Sequence, residues 1–195
     1  ANPFVCQVTR ALLGSGAFSN YLSGNSNVPG SQLQPVHVDT GQLWPDLEVA
    51  HPTARLAVNL ALDDTSEANG AIELWPGTHL DTRKAVGQTL RLSEEDLAER
   101  SDAAPPILGT TKKGAILIRD LRLWHRGTPN TSDDTRFMIA MIHNAALYKR
   151  PCRFDLDRNC AHVFDACAIE NAIPLVDEPS EYIDRNEAYE YDGPN

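Results

Sequence analysis

The stretch ARLAVNLAL at 54–62 decides the fold. Leu56, Val58, Leu60 and Leu62 alternate with Arg55, Ala57, Asn59 and Ala61. A period of two puts the four large aliphatics on one face of a strand and the small or polar set on the other. The aliphatic face belongs against another layer of the core. The opposite face, with one amide among small side chains, suits the wall of a cavity, as in a ligand-holding barrel.

The segments around it read as further short strands and turns. DDTSEANG at 63–70 is a turn, and AIELWPGTH at 71–79 is a short strand ending in a Pro-Gly turn. KKGAILIRDLRLWHRG at 112–127 reads as a strand followed by a tight loop carrying His125, and RFMIAMIHNA at 136–145 as another strand. Upstream, QLQPVHVD at 32–39 reads as a strand whose Pro35 favours an edge or a bulge. Residues 5–14 fit a strand or a short helix, and the Ser-, Asn- and Gly-rich residues 15–31 read as loop. Within an insertion at 81–111, SEEDLAERS at 93–101 has a helical pattern, with Ser93 as N-cap and acids at 94–96. Beyond Pro151 the chain is polar and irregular, with a tail near 181–191 expected to pack on the surface. Many short strands with few helices predict a mainly β double-stranded β-helix, a jelly roll of the cupin type with a few peripheral helices.

The 195 residues fit a single domain over 1–195, with 151–195 as a C-terminal extension. Ala1 in place of Met implies an N-terminal part beyond the given sequence. The net charge is −10 and the 17 Lys and Arg form no dense run, which argues against nucleic acid and anionic membranes as partners. No apolar run is long enough for a membrane span, and the start lacks a signal-peptide pattern, so a cytoplasmic protein acting on a small molecule is expected. The oligomeric state is left open. The four cysteines, at 6, 152, 160 and 167, contain no CxxC pair and predict neither structural zinc nor a disulfide framework.

His37-Val38-Asp39 carries the chemistry. On a strand, His37 and Asp39 share a face and offer an imidazole and a carboxylate to one point. Read alone, the pair is equally a strand histidine and a turn-capping aspartate. A second, distant histidine would complete the two-nitrogen, one-oxygen face of a non-heme Fe(II) oxygenase. His79, His125 and His143 compete for that place. His79 ends a turn and reads as a loop histidine. His143 has the strand parity opposite to Arg136. Leu121, Leu123 and His125 share parity after a strong strand, and only His125 has an Arg at a spacing that reaches the next strand, Arg136, eleven residues on. His51 and His162 read as surface residues. Arg136 is either solvated or grips the distal carboxylate of 2-oxoglutarate as a bidentate fork. Thr128 can add a hydroxyl there, and Asn59 a donor on the cavity face. Trp124 reads as core, whereas Trp44 reads equally as core or as part of the substrate pocket. Asp39, standing where Gly or Ala would admit a chloride, argues against halogenation.

Four blocks in order resemble the phytanoyl-CoA dioxygenase family of Fe(II)/2-oxoglutarate oxygenases: HVD at 37–39, LALDDTSEANGAIELWPGTH at 60–79, GAILIRDLRLWHRGTPNTS at 114–132, and Arg136. They cover about half the chain. Thr78 stands where that family usually has Ser, and Thr128 where Ser is common. The resemblance implies Fe(II) on His37, Asp39 and His125, 2-oxoglutarate on Arg136 and Thr128, O2 as second co-substrate, and no metal on His79. It implies a dioxygenase that most simply hydroxylates an unactivated C–H of a small molecule, such as a natural-product intermediate, while 2-oxoglutarate becomes succinate and CO2. Desaturation, ring closure and epimerisation use the same cofactors. A cupin-like metal-binding module or isomerase without oxygenase activity is the reading from another class, and it needs no Arg136. The acidic chain lacks a basic cluster suited to a CoA diphosphate. Loop 40–53 and the insertion 81–111 are placed as a lid.

Overall fold

In the computed structural model, residues 2–86, 90–148, 155–164 and 169–178 are described. The first element is helix α1, Pro3–Leu13. The Asn2 side chain caps it, accepting from the amides of Phe4 and Val5, and Gly14 at φ 79° ends it. Its buried residues, Val5, Cys6, Thr9 and Leu13, form one stripe. Residues 5–14 are therefore helical rather than extended.

Strands β1 (Phe18–Asn27), β2 (Arg55–Ala61), β3 (Glu73–Leu74), β4 (Ile107–Leu108), β5 (Ile116–Asp120), β6 (His125–Arg126) and β7 (Arg136–Asn144) follow, with α2 (Glu94–Ala103) between β3 and β4. Three two-residue strands, β8 (Leu156–Asp157), β9 (Glu170–Asn171) and β10 (Leu175–Val176), come last. The large sheet runs β5-β2-β7-β1-β9 and the small sheet β4-β3-β6, while β10 and β8 pair apart from both. Two sheets joined in this way make the expected cupin-like jelly roll.

The alternation in 54–62 sorts by face, but its aliphatic side is core only at the start: Leu60 is half-buried and Leu62 is exposed. Leu56 and Val58 are buried on the outer face, where Leu56 packs with Leu13 of α1, Ala17, Ala145 and Ile118. Ala57, Asn59 and Ala61 face the other sheet and are buried there. β2 pairs without interruption with β7, from Arg55↔Asn144 to Ala61↔Met138, and with β5, from Leu56↔Asp120 to Leu60↔Ile116. This register places Arg119 beside Ala57 and Leu117 beside Asn59, all on the cavity side.

Three expectations are corrected. Residues 15–31 are not loop: FSNYLSGNSN forms β1, a ten-residue strand paired along β7. Backbone pairing to a strongly apolar neighbour overrides its weak strand propensity. Residues 32–39 are not a regular strand. His37 alone bridges, to Arg91 on one side and His125 on the other, although backbone bonds at Val36, Val38 and Asp39 keep the segment extended. The region after 151 is not wholly peripheral either, because β9 joins the large sheet beside β1 and Ile169 and Ile173 are buried. The tail at 181–191 lies outside the described residues.

Helix α2 has a capping box, with the Ser93 hydroxyl accepting from Asp96 N–H and the Asp96 carboxylate accepting from Ser93 N–H. Lys84 pairs with Asp96, and Leu97 packs on the cluster Val36, Val38, Trp75, Ala85 and Trp124. No helix among the described residues is long and apolar enough to cross a membrane.

Candidate metal centre and co-substrate cavity

His37 and His125 are opposite residues of one antiparallel bridge. The His37 amide donates to the His125 carbonyl at 2.9 Å, and the His125 amide to the His37 carbonyl at 3.0 Å. Cross-strand placement brings the two rings to a centroid distance of 4.4 Å. Asp39 is turned to the same place, its amide donating to the Leu121 carbonyl at 3.0 Å. Its Oδ1 lies 4.0 Å from His37 Nε2 and 3.6 Å from His125 Nε2. One ligand atom from each of the three residues lies within 4.8 Å of the other two.

Each ring is aimed from behind. His37 Nδ1 donates to the Pro35 carbonyl at 3.0 Å and His125 Nδ1 to the Leu123 carbonyl at 2.9 Å. A carbonyl only accepts, so Nδ1 carries the proton and Nε2 presents its lone pair to the shared point. Burial lowers the pKa of both imidazoles, with Arg119 acting in the same direction, and that of His125 falls to about 3. Both rings are therefore neutral at pH 7, as a ligand must be. Burial alone would raise the Asp39 pKa, but the Arg119 guanidinium, by charge and hydrogen bond, holds it well below the usual carboxylate range. Two neutral imidazoles and one ionised carboxylate fit Fe(II).

Arg136 opens β7 and is buried on the cavity side. Its Nη2 donates to the Gly70 carbonyl at 3.2 Å and its Nη1 to Asn25 Oδ1 at 3.4 Å, while Nε is buried without a partner among the described residues. Gly70 holds φ 79°, and a Cβ there would sit 2.1 Å from Asn27 Nδ2 and 2.7 Å from the Thr128 carbonyl. Only glycine fits that turn. Beside Arg136 is a small cavity whose lining includes Asn59, Ala61, Thr65, Thr111, Leu117 and Met138. It is largely apolar with a cation at one end, which suits the aliphatic middle and distal carboxylate of a dicarboxylic acid.

The remaining sequence candidates take various places. Thr128 does not line the cavity, and its hydroxyl donates to the Ala71 carbonyl at 2.7 Å. Trp44 is 52% exposed, edge-on to His51, and does not line the cavity. Trp124 is core. His143 is buried against Thr9, with Nδ1 2.7 Å from the hydroxyl, and is remote from the centre in register. The parity that favoured His125 does not operate, because residues 121–123 form a turn between β5 and β6. His125 reaches the site through its bridge to His37 instead. Loop 40–53 is pinned rather than loose: Arg122, held by Asp120, donates to Gln42 Oε1 and the His51 carbonyl, and Gln42 Nε2 donates to the carbonyls of His79 and Asp81.

Sequence reasoning missed Arg119. Its Nη2 donates to Asp39 Oδ2 at 2.7 Å, and its side chain is 9% exposed. The signal was present in ILIRD, where an arginine takes the cavity-facing parity of Leu117 and so requires a buried partner.

Two histidines and an aspartate gathered around one point inside a jelly roll make the ligand set that the class of non-heme iron oxygenases uses. Within it, the chain belongs to the phytanoyl-CoA dioxygenase family, whose profile matches residues 2–138. Ectoine dioxygenase of Bordetella parapertussis is 23% identical over 199 residues, covering 89% of this chain and 61% of that protein. The chain thus spans less than two thirds of that relative's length. EctD from S. alaskensis with bound Fe superimposes at TM-score 0.60 and 24% identity, over 72% of this chain and 49% of that one. AviO1 from Streptomyces viridochromogenes Tue57 does so at 0.58 and 20%, over 75% of this chain and 59% of that one. At these identities the structural likeness establishes the shared fold.

Proposed function

We propose that residues 1–195 form one oxygenase domain that uses Fe(II), 2-oxoglutarate and O2 to hydroxylate an unactivated C–H of a small molecule. The observation that carries this reading is the joint placement of the neutral His37 and His125, the ionised Asp39 and a cavity ending at Arg136. When bound, iron with 2-oxoglutarate and O2 supplies a two-electron oxidation: R–H, O2 and 2-oxoglutarate give R–OH, succinate and CO2.

The chain's residues supply holding and aiming. His37, Asp39 and His125 take one side of the metal and leave the other side for co-substrates. The Pro35 and Leu123 carbonyls fix the ring tautomers. Arg136 binds the distal carboxylate, and Asn59 adds a donor along the cavity. Apolar lining from Leu117 and Met138 excludes water from the middle of the co-substrate. Thr128 acts by fixing the backbone at Ala71 beside that carboxylate. Trp44, at the loop surface, faces an arriving substrate. A relative named ectoine dioxygenase and a structure of EctD with 2-oxoglutarate and 5-hydroxyectoine support hydroxylation of a small molecule. A cupin isomerase does not require an arginine at the end of such a cavity.

Anaerobic addition of Fe(II) and 2-oxoglutarate is expected to produce a visible metal-to-ligand charge-transfer band. His125→Ala abolishes it. Arg136→Ala weakens 2-oxoglutarate binding by about tenfold or more and leaves iron affinity within about twofold. No band in the wild type, or a band that survives in His125→Ala, overturns the assignment.

A further inference from the structure

Arg119 has more donors than its one contact uses. Nη2 is bound to Asp39 Oδ2, while Nε and Nη1 are buried with no hydrogen-bond partner among the described residues. A guanidinium is planar, so Nη1 lies beside Nη2 and hence beside the metal centre. A buried cationic donor without an acceptor is costly, and a chain that keeps one has an acceptor for it in the working protein. Which acceptor follows from the strand. Leu117 lines the cavity, and Arg119 is the next residue on that face of β5, two positions nearer Asp39. The cavity thus has Arg136 at one end, while Arg119 and the three ligands stand beyond the other.

We propose that Arg119 is a second carboxylate anchor: it locks Asp39 as a one-oxygen ligand and donates to the metal-chelating carboxylate of the 2-oxo acid. This rests on the co-substrate reading above. Holding Oδ2 leaves Oδ1, the oxygen nearest both Nε2 atoms, as the sole coordinating atom of Asp39. The co-substrate is then gripped at both ends, by Arg136 at its distal carboxylate and by Arg119 at the carboxylate next to the keto group.

Two 2-oxo acids separate the ends. Pyruvate keeps the keto acid group and lacks the distal carboxylate. Iron-loaded wild type, Arg119→Gln, Arg119→Lys and Arg136→Ala are titrated anaerobically with each acid, reading the charge-transfer band. Iron affinity is measured separately, without any 2-oxo acid, by competition with a coloured chelator. Arg119→Gln is expected to weaken 2-oxoglutarate and pyruvate by the same factor, about tenfold or more, and to weaken iron as well. Arg119→Lys recovers part of both losses, because one donor and the charge remain. Arg136→Ala weakens 2-oxoglutarate and leaves pyruvate unchanged. Pyruvate binding to iron-loaded Arg119→Gln that matches wild type overturns the anchor. Iron affinity unchanged in Arg119→Gln overturns the lock on Asp39. A wild type that takes up iron yet gives no band with either acid defeats the co-substrate reading and the anchor together, and the chelator competition still decides the lock.

Discussion

The two sheets reach order by different routes. β2 lies in the large sheet between two long partners, with an unbroken ladder to β7 of seven residue pairs. The small sheet consists of two-residue strands, and the segment bearing His37 and Asp39 is joined to it through one bridge and a few backbone bonds. The chemistry divides along that line. Arg136, Asn59 and Arg119 stand on the long ladders, and His37 and His125 stand where two short segments meet. A long ladder gives a fixed wall for an extended ligand. A short bridge lets three side chains converge, because the chain can turn immediately on either side of it.

The sharpest break between the two regions is at the bridge. His125→Ala is expected to remove measurable Fe(II) binding, by the same chelator competition, while far-ultraviolet circular dichroism stays that of the wild type. The converse break is in the large sheet: Leu56→Ala, at a site 2% exposed, costs about 2–5 kcal/mol of unfolding free energy in urea and spares iron binding in the folded fraction. If Leu56→Ala lost iron affinity without losing stability, the division of labour would fail.

Acid probes both regions together. His37, His125 and His143 all have pKa values below 6.5, chiefly through burial. Below pH 6.5 the unfolded chain takes up protons that the folded chain refuses. Stability of the metal-free protein therefore falls as pH drops from about 6.5, by at most about 1.4 kcal/mol per pH unit for each histidine. His143→Gln, outside the metal centre, should make that slope shallower in urea titrations at pH 7.5 and 5.5. An unchanged slope removes His143 from the account. The smallest effect is at the periphery, where Ser93→Ala costs about 1 kcal/mol through the α2 cap and leaves both titrations of 2-oxo acid unchanged.

The same division explains what could be read in the sequence. β2 announces itself by alternation, because one face is aliphatic and the other small, and β5 and β7 by their short, strongly apolar runs. β1 does not, because Ser, Asn and Gly carry no period and its strand rests on pairing along β7 and, at its start, with β9. HVD was legible as a motif although its strand was not, since three consecutive residues suffice to point two side chains the same way. His125 was legible through the motif around it and the distance to Arg136, whereas the parity offered for it ends at the turn of 121–123. The Thr128 hydroxyl looked free in sequence and is committed to Ala71, a contact between segments far apart in the chain. Arg119 was visible as a cation in an apolar strand, but its partner Asp39 lies eighty residues away.

The carbonyls behind the two histidines have a kinetic consequence. Each ring leans on the carbonyl two residues before it, Pro35 for His37 and Leu123 for His125. The aim of each nitrogen is thus set within three residues and needs nothing from the ion. An arriving cation meets lone pairs already facing it, with no ring to turn over and no proton to relocate. Loading should then proceed at the pace at which the ion sheds its water, and an emptied site should refill as readily as it first filled.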